Sequence, residues 1–447
     1  MIKPVRRYWW LFFPALFAAV LSLGTLFTYW PEMVNYPFFL SRGLAPYRDF
    51  SMVYFPLVPF LLLAVYRLVG FTPLVLHVLG TLLLVISTGL VALLVRGSNH
   101  RPFLAGLCGF LFAFLAVALE GNHFWFESLL TPLFLTVFYL LEKRKYFWAG
   151  ALMAVAFLSK QTSAYAFLPI FAFLSKPFRP KAIGAVLLPV FVSFFLLIFA
   201  LSVFGLFPDF YRWTFVFVSV LPKIHGPNLS PDLVLPSFRQ GSAVILLLGA
   251  PAVLAILSKK RPAVFAAVWS FCLALFAFPH FAYFHLEPAL AFAVLALGLS
   301  LSGNRRWPLL FAAGCLLFLP VALTIFRRHL TQDQPYWDQN VRNVSAWLNN
   351  HSSSATVFSL HGPDLIYPLT GKPPAVIPWV DQVSWNLAFA DGQFTAAFRT
   401  RPPDIVVFRP YAFGEYQPAS VVSFFFTHYR LVRTFPQAVQ IWQLRRY

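Results

Sequence analysis

The feature that most constrains this chain is a rhythm of long apolar runs, interrupted at every second connection by a cluster of Lys and Arg. A helix needs about 20 apolar residues to cross the roughly 30 Å hydrocarbon layer of a bilayer. Eleven runs of that order, some shorter, lie at 8–29, 71–95, 102–119, 124–141, 146–158, 163–175, 182–206, 242–257, 262–279, 284–302 and 307–326. The basic clusters are Lys3/Arg6/Arg7, Arg96/Arg101, Lys143/Arg144/Lys145, Lys176/Arg179/Lys181, Lys259/Lys260/Arg261 and Arg305/Arg306. They hold sixteen cations, whereas of the eight acids before residue 327 only Glu142 falls on their side. Lys and Arg collect on the cytoplasmic face of a membrane protein. The N-terminus is therefore expected in the cytoplasm and residues 327–447 outside. With 59% hydrophobic and 11% charged residues, the chain also has too little polar surface to cover a water-soluble globule. The net charge of +19 sits largely in short loops, so it reports topology and excludes a nucleic-acid surface.

The same alternation classifies the ambiguous segments. Residues 52–69 are apolar, but counting them as a crossing would invert every later loop, and Pro56, Pro59 and Arg67 suit a lipid-exposed span poorly. They read as an interfacial or re-entrant helix on the outer side. The pair 146–158 and 163–175 is short in both halves, yet basic flanks demand an even number of crossings. That places Ser159-Lys160-Gln161 at or near the outer face. Cys108, Cys272 and Cys315 lie inside apolar runs without metal-ligand spacing, and read as buried thiols. Beyond residue 326 the pattern changes. Trp337–Asn349 looks helical, Ala355–Leu360 and Asp404–Phe408 look like strands, and a helix at Ala419–His428 leads into alternating Tyr429–Thr434 and Val439–Leu444. The expected class is a polytopic α-helical membrane protein with about eleven crossings over 1–326. Juxtamembrane helices are expected at about 30–70, and a small extracytoplasmic α/β domain over 327–447.

Four places carry residues suited to chemistry. In the first outer loop, a Gly/Pro turn leads into Arg48-Asp49 just before the interfacial helix. A carboxylate there can accept a proton from an incoming hydroxyl or amine; it can equally cap a helix start. The second outer loop, Glu120-Gly121-Asn122-His123-Phe124-Trp125-Phe126-Glu127, offers carboxylates and rings suited to a sugar, or an aromatic belt with solvated ends. Metal binding by Glu120, His123 and Glu127 would need a helix that Gly121-Asn122 opposes, and no cofactor is indicated. Lys160, followed by Gln161, is a lone cation between apolar runs, costly unless it has a task or reaches the interface. Before the tenth run, His280, Tyr283 and His285 can donate to phosphate or sugar, or anchor at the interface. The loop 207–241 reads as a lid.

Gly43, Pro46-Tyr47-Arg48-Asp49-Phe50, Pro56, Pro59 and Gly70 together resemble the start of the GT-C glycosyltransferases. The similarity is to the branch containing the protein O-mannosyltransferases and the aminoarabinose transferase of lipid A. Leu158-Ser159-Lys160-Gln161-Thr162 and the eleven-run layout extend the resemblance over most of 8–326. The resemblance implies a sugar donor linked through phosphate to a polyprenyl chain, and a glycan, lipid or protein acceptor. It implies transfer with inversion on the outer face of the plasma (inner) membrane, among membrane lipids. Asp49 would be the base and Lys160 the phosphate partner, with Arg48 second. Glu120 or Glu127, Gln161, His280, Tyr283 and His285 would line the substrate site. The His/Tyr segment departs from the family by lacking an Arg, so no phosphate-binding Arg carries over there. Two other classes compete. A lipid or sugar transporter or flippase is disfavoured by the absence of repeated halves and of charges within the spans. A non-catalytic scaffold would not need these polar residues.

Overall fold

The computed structural model describes residues 2–99, 101–118, 122–175, 178–221, 237–277, 281–301, 323, 327, 337–351, 355–412 and 415–445. The expected run 307–326, apart from residue 323, and Cys315 lie outside them, as does 222–236 of the expected lid. In chain order the helices are α1 (Ile2–Leu23), α2 (Glu32–Ser41), α3 (Leu57–Val69), α4 (Pro73–Asn99), α5 (Pro102–Ala116), α6 (Phe126–Glu142) and α7 (Tyr146–Ser159). Then come α8 (Phe167–Leu174), α9 (Pro180–Val203), α10 (Phe207–Tyr211), α11 (Phe217–Val220), α12 (Phe238–Ser258), α13 (Arg261–Ala274) and α14 (Glu287–Leu301). The last four are α15 (Gln339–His351), α16 (Ile366–Thr370), α17 (Ser384–Thr400) and α18 (Ala419–His428). Short strands β1 (Thr28–Tyr29) and β2 (His123–Phe124) pair in parallel. The others are β3 (Val357–Leu360), β4 (Ile405–Phe408), β5 (Tyr429–Thr434) and β6 (Gln440–Leu444).

The chain divides into two compact units. The first comprises Met1–Tyr29, Leu76–Leu196 and Val234–Asp333. Four described helical stretches are long and apolar enough to cross a membrane: Pro73–Gly97, Pro180–Val203, Gln240–Ser258 and Tyr283–Leu301. Shorter apolar helices, α5 and α7 among them, accompany them. Burial separates the four by role. The Tyr283–Leu301 stretch is 94% buried, while those of α9 and α12 are only 17% buried. Helix α14 packs on α13, α12, α5 and α6, and is the core of this unit. Helices α9 and α12 turn Phe191, Phe195, Phe199, Ile245 and Leu257 outward. So continuous an apolar exterior is stable in hydrocarbon and not in water.

Local chemistry sets several helix ends. Pro102 and Pro262 occupy the first turns of α5 and α13, where the missing N–H costs nothing. A capping box starts α12, with Gln240 N–H donating to Ser237 Oγ at 3.3 Å and Ser237 N–H to Gln240 Oε1 at 2.8 Å. The expected helix over 163–175 forms only in part. Residues Gln161–Ala166 adopt a 3-10 turn, and α8 begins at Phe167. The α7 helix stops at Ser159 because Lys160 takes an extended conformation, φ −153° and ψ 128°.

The second unit comprises Trp30–Val75, Leu197–Leu233 and Gln334–Tyr447. Its sheet runs β3-β4-β6-β5, with β3 and β4 parallel and the remaining pairs antiparallel. All four residues of β3 and of β4 are buried. Phe394 and Phe398 of α17 pack against Phe358 of β3, and Phe425 of α18 against Phe408 of β4. Helix α3, with 13 residues, spans about 20 Å at 1.5 Å per residue, short of a hydrocarbon layer. It ends at Gly70, whose φ of 87° suits glycine.

Candidate functional site

Three chain breaks converge in the first unit. Glu127 lies in the first turn of α6, Lys160 terminates α7, and His285 belongs to the 3-10 turn Tyr283–Leu286 that opens α14. The placements suit the backbone, since a carboxylate is favoured at a helix N-terminus and a cation at a C-terminus. Lys160 Nζ donates to Glu127 Oε1, and His285 Nδ1 lies 2.7 Å from the same oxygen. The Glu127 and Lys160 side chains are only 0% and 5% exposed. A lone Lys could have snorkelled to the surface; this one instead ends on a buried carboxylate, flanked by the rings of Phe126 and Phe276. Glu127 Oε2 has no hydrogen-bond partner among the described residues.

A second pair adjoins the first. Ser128 Oγ lies 3.2 Å from the His123 carbonyl and 3.4 Å from Glu287 Oε2, and His123 Nε2 lies 3.9 Å from that carboxylate oxygen. The local backbone explains why His123 is here. Asn122 Nδ2 lies 3.0, 3.1 and 2.8 Å from the carbonyls of Ser22, Thr25 and Leu26, so its two hydrogens serve the backbone left open where α1 ends. Ser22 Oγ donates back to Asn122 Oδ1 at 2.7 Å. The amide thus staples the loop to α1, and β2 follows with His123 buried. One ammonium, two carboxylates and two imidazoles are thus held together, four of them at helix ends and His123 in β2. Such a group can orient a phosphate or a sugar hydroxyl, because its members are already fixed when a ligand arrives.

The second unit holds Asp49. Its Oδ2 accepts from Ala45 N–H at 2.8 Å, and its Oδ1 from Arg48 Nε at 3.1 Å. Asp49 N–H donates to Ala45 O at 2.9 Å, which closes a tight turn in which Tyr47 has φ 69°. The strain at Tyr47 is compensated by burial of its ring against Phe210 and by its hydroxyl donating to Tyr54 O. The carboxylate therefore caps its own turn, yet its side chain stays 19% exposed, and two of its roughly four lone-pair positions remain. Arg48 is 56% exposed. Nearby Asp209 has its carboxyl pushed up by burial, against the pull of Arg212 and Arg48.

Of the residues singled out from the sequence, the structure joins Glu127, Lys160 and His285, and joins Arg48 to Asp49. Gln161 and Tyr283 sit beside the first group in chain order, each opening a 3-10 turn. Glu120 and His280 lie outside the described residues. Ser128 and Glu287 were not anticipated as site residues, although Glu287-Pro288 directly precedes the most buried helix of the unit. No group of three metal-ligating side chains occurs among the described residues.

No protein-family model matches the chain, and no curated protein matches it in sequence. Solved structures do. ArnT from Cupriavidus metallidurans bound to undecaprenyl phosphate superimposes with a TM-score of 0.63 at 14% identity, covering 96% of this chain and 96% of that one. The apo state of the same protein gives 0.61 at 13% identity, with the same coverage. The fold is GT-C-like. The oligosaccharyltransferase of Archaeoglobus fulgidus, in a complex with Zn and sulfate, follows at 0.50 and 14% identity, over 90% of this chain and 68% of that one. The GT-C-like resemblance noted at Asp49 thus extends to nearly the whole chain as fold, and the apolar helices belong to an integral membrane architecture.

Proposed function

We propose that this chain is an inverting membrane glycosyltransferase, moving a sugar from a polyprenyl-phosphate donor to an acceptor hydroxyl or amine on the outer face of the plasma membrane. Its N-terminus lies in the cytoplasm and residues 327–447 outside. The observation that carries this reading is the 96% mutual coverage with a structure of ArnT bound to undecaprenyl phosphate. The buried Glu127–Lys160–His285 group supports it, since a desolvated Lys–Glu pair adds little net stability and ionisable groups inside an apolar bundle are costly unless they have a task.

In the reaction, the acceptor oxygen or nitrogen attacks the anomeric carbon as its proton passes to Asp49. The bond from that carbon to the phosphate oxygen breaks, and the electron pair leaves with polyprenyl phosphate. Lys160, held by Glu127, offers positive charge to that leaving phosphate, with Arg48 as a second cation. Glu127, Glu120, Gln161, His280, Tyr283 and His285 orient the donor.

The test uses the purified full chain in nanodiscs with undecaprenyl phosphate carrying a radiolabelled hexose or pentose, scoring both transfer and donor hydrolysis. Asp49→Asn retains a side-chain oxygen for the Ala45 N–H, so the turn survives while the base is lost. Turnover is expected to fall about 100-fold or more. Wild-type turnover in this variant removes Asp49 from the mechanism.

A further inference from the structure

The residues around Asp49 are held from an unexpected quarter. Trp379 N–H donates to Asp49 O at 2.9 Å, and Ser51 N–H donates to Trp379 O at 2.7 Å. Phe50 and Trp379 thereby form a parallel bridge. Two positions beyond Trp379, Asp381 N–H donates to Ser51 Oγ at 3.0 Å. The segments 49–51 and 379–381 thus form a miniature two-stranded ladder, although 330 positions separate Ser51 and Asp381.

The side chains reinforce the ladder. Phe50 and Trp379 are fully buried and share an aromatic cluster with α2: Phe39 lies 5.5 Å from Phe50 and 5.2 Å from Trp379, centroid to centroid, and Tyr36 lies 5.3 Å from Phe50. Phe50 is anchored in this cluster, while the Asp49 carboxylate, held by Ala45 N–H and Arg48 in the turn before it, keeps its partial exposure.

We propose that the Trp379–Asp381 segment is the positioning element for Asp49, with Ser51 as the residue that locks it. This rests on the reading of Asp49 as base. The physical reason is directness: the ladder bonds the Asp49 carbonyl itself, so a slip of the 379–381 segment moves the carboxylate with it. Catalytic groups tolerate little displacement, and a 1 Å error costs roughly 100-fold in rate. The far α/β part of the chain then contributes to the reaction through the backbone, without supplying a reacting group. Ser51 is wholly buried, so its hydroxyl is available to this ladder and not to solvent.

The experiment compares Ser51→Ala with Ser51→Thr in the full chain in nanodiscs. The alanine leaves the buried Asp381 N–H without its acceptor; threonine restores an oxygen there. Amide hydrogen exchange of 49–51 and 379–381 is measured alongside turnover on whichever undecaprenyl-phosphate sugar the wild type uses. Ser51→Ala is expected to speed exchange in both segments and to lower kcat roughly 10-fold at unchanged donor KM, and Ser51→Thr to recover both. Faster exchange with wild-type kcat overturns the inference, because the ladder would then serve the fold alone. Unchanged exchange overturns it as well. If Asp49→Asn keeps full turnover, the base assignment fails on its own variant, and the exchange result still reports whether the ladder locks the loop.

Discussion

Replacing Lys160 with methionine should be among the most damaging single changes in the membrane unit. The substitution keeps the unbranched stem and removes the charge, leaving Glu127 as a carboxylate with a fully buried side chain. Removing one partner of a buried ion pair costs about 3–5 kcal/mol, because the other charge stays desolvated. His285 Nδ1 at 2.7 Å remains to donate to the same oxygen, which places the expected loss near the lower end, about 3 kcal/mol. Glu127→Gln leaves an ammonium beside Phe126 and Phe276, and should cost a comparable amount. The double variant removes both charges and should lose less than either single one. The coupling in the cycle is therefore expected at about 3 kcal/mol or more. Thermal unfolding of the four proteins in one detergent measures it. Additive losses of under about 1 kcal/mol each would refute the reasoning, since they would mean that the pair is hydrated and costs little to break. The cycle separates stability from chemistry: if the double variant is stable and inactive, the pair is held for function.

Three further outcomes follow from the structure. In the second unit, burial and repulsion between neighbouring carboxyls hold Glu32 and Asp364 well above their ordinary range, and burial raises Asp381 as well. Acids with raised folded values hold extra protons in the native state, so stability declines as pH rises above the ordinary carboxylate range of about 4. Glu32→Gln should flatten that decline and raise the unfolding temperature at pH 8; parallel pH curves for variant and wild type would refute it. Gly150→Ala would put a methyl 2.3 Å from the Val186 carbonyl oxygen and 2.8 Å from its Cα. That forces α7 from α9 at about 1–3 kcal/mol, read by thermal unfolding, whereas Gly184→Ala meets nothing within 4 Å and should be neutral or stabilising. Arg212 Nη1 donates to Gln393 Oε1 at 2.7 Å and lies over the Phe389 ring, so Arg212→Ala should loosen α17, seen as faster amide exchange there.

The residues reveal at which level each feature was decided. Helices and the late strands were legible locally: β5 and β6 form where Tyr429–Thr434 and Val439–Leu444 were expected, although β5 buries only Tyr429. The runs 71–95, 182–206, 242–257 and 284–302 become α4, α9, α12 and α14 with ends shifted by up to four residues. Helix α17 was not legible, because Ser384–Thr400 mixes small, polar and aromatic residues and has no side-chain cap at Val383. Its helicity comes from packing Phe394 and Phe398 on the sheet.

Glu127, Lys160 and His285 were each visible as polar residues at the ends of apolar runs. Sequence alone determined that such groups exist, because burying charge in an apolar chain is costly enough to stand out. Only the tertiary structure decided that they meet, since 33 and 158 positions separate Lys160 and His285 from Glu127. It likewise decided that Asp49 caps its own turn and is gripped by Trp379. Local propensity carries no information about partners so distant in the chain; the packing of helix ends and of one extended segment on another supplies it.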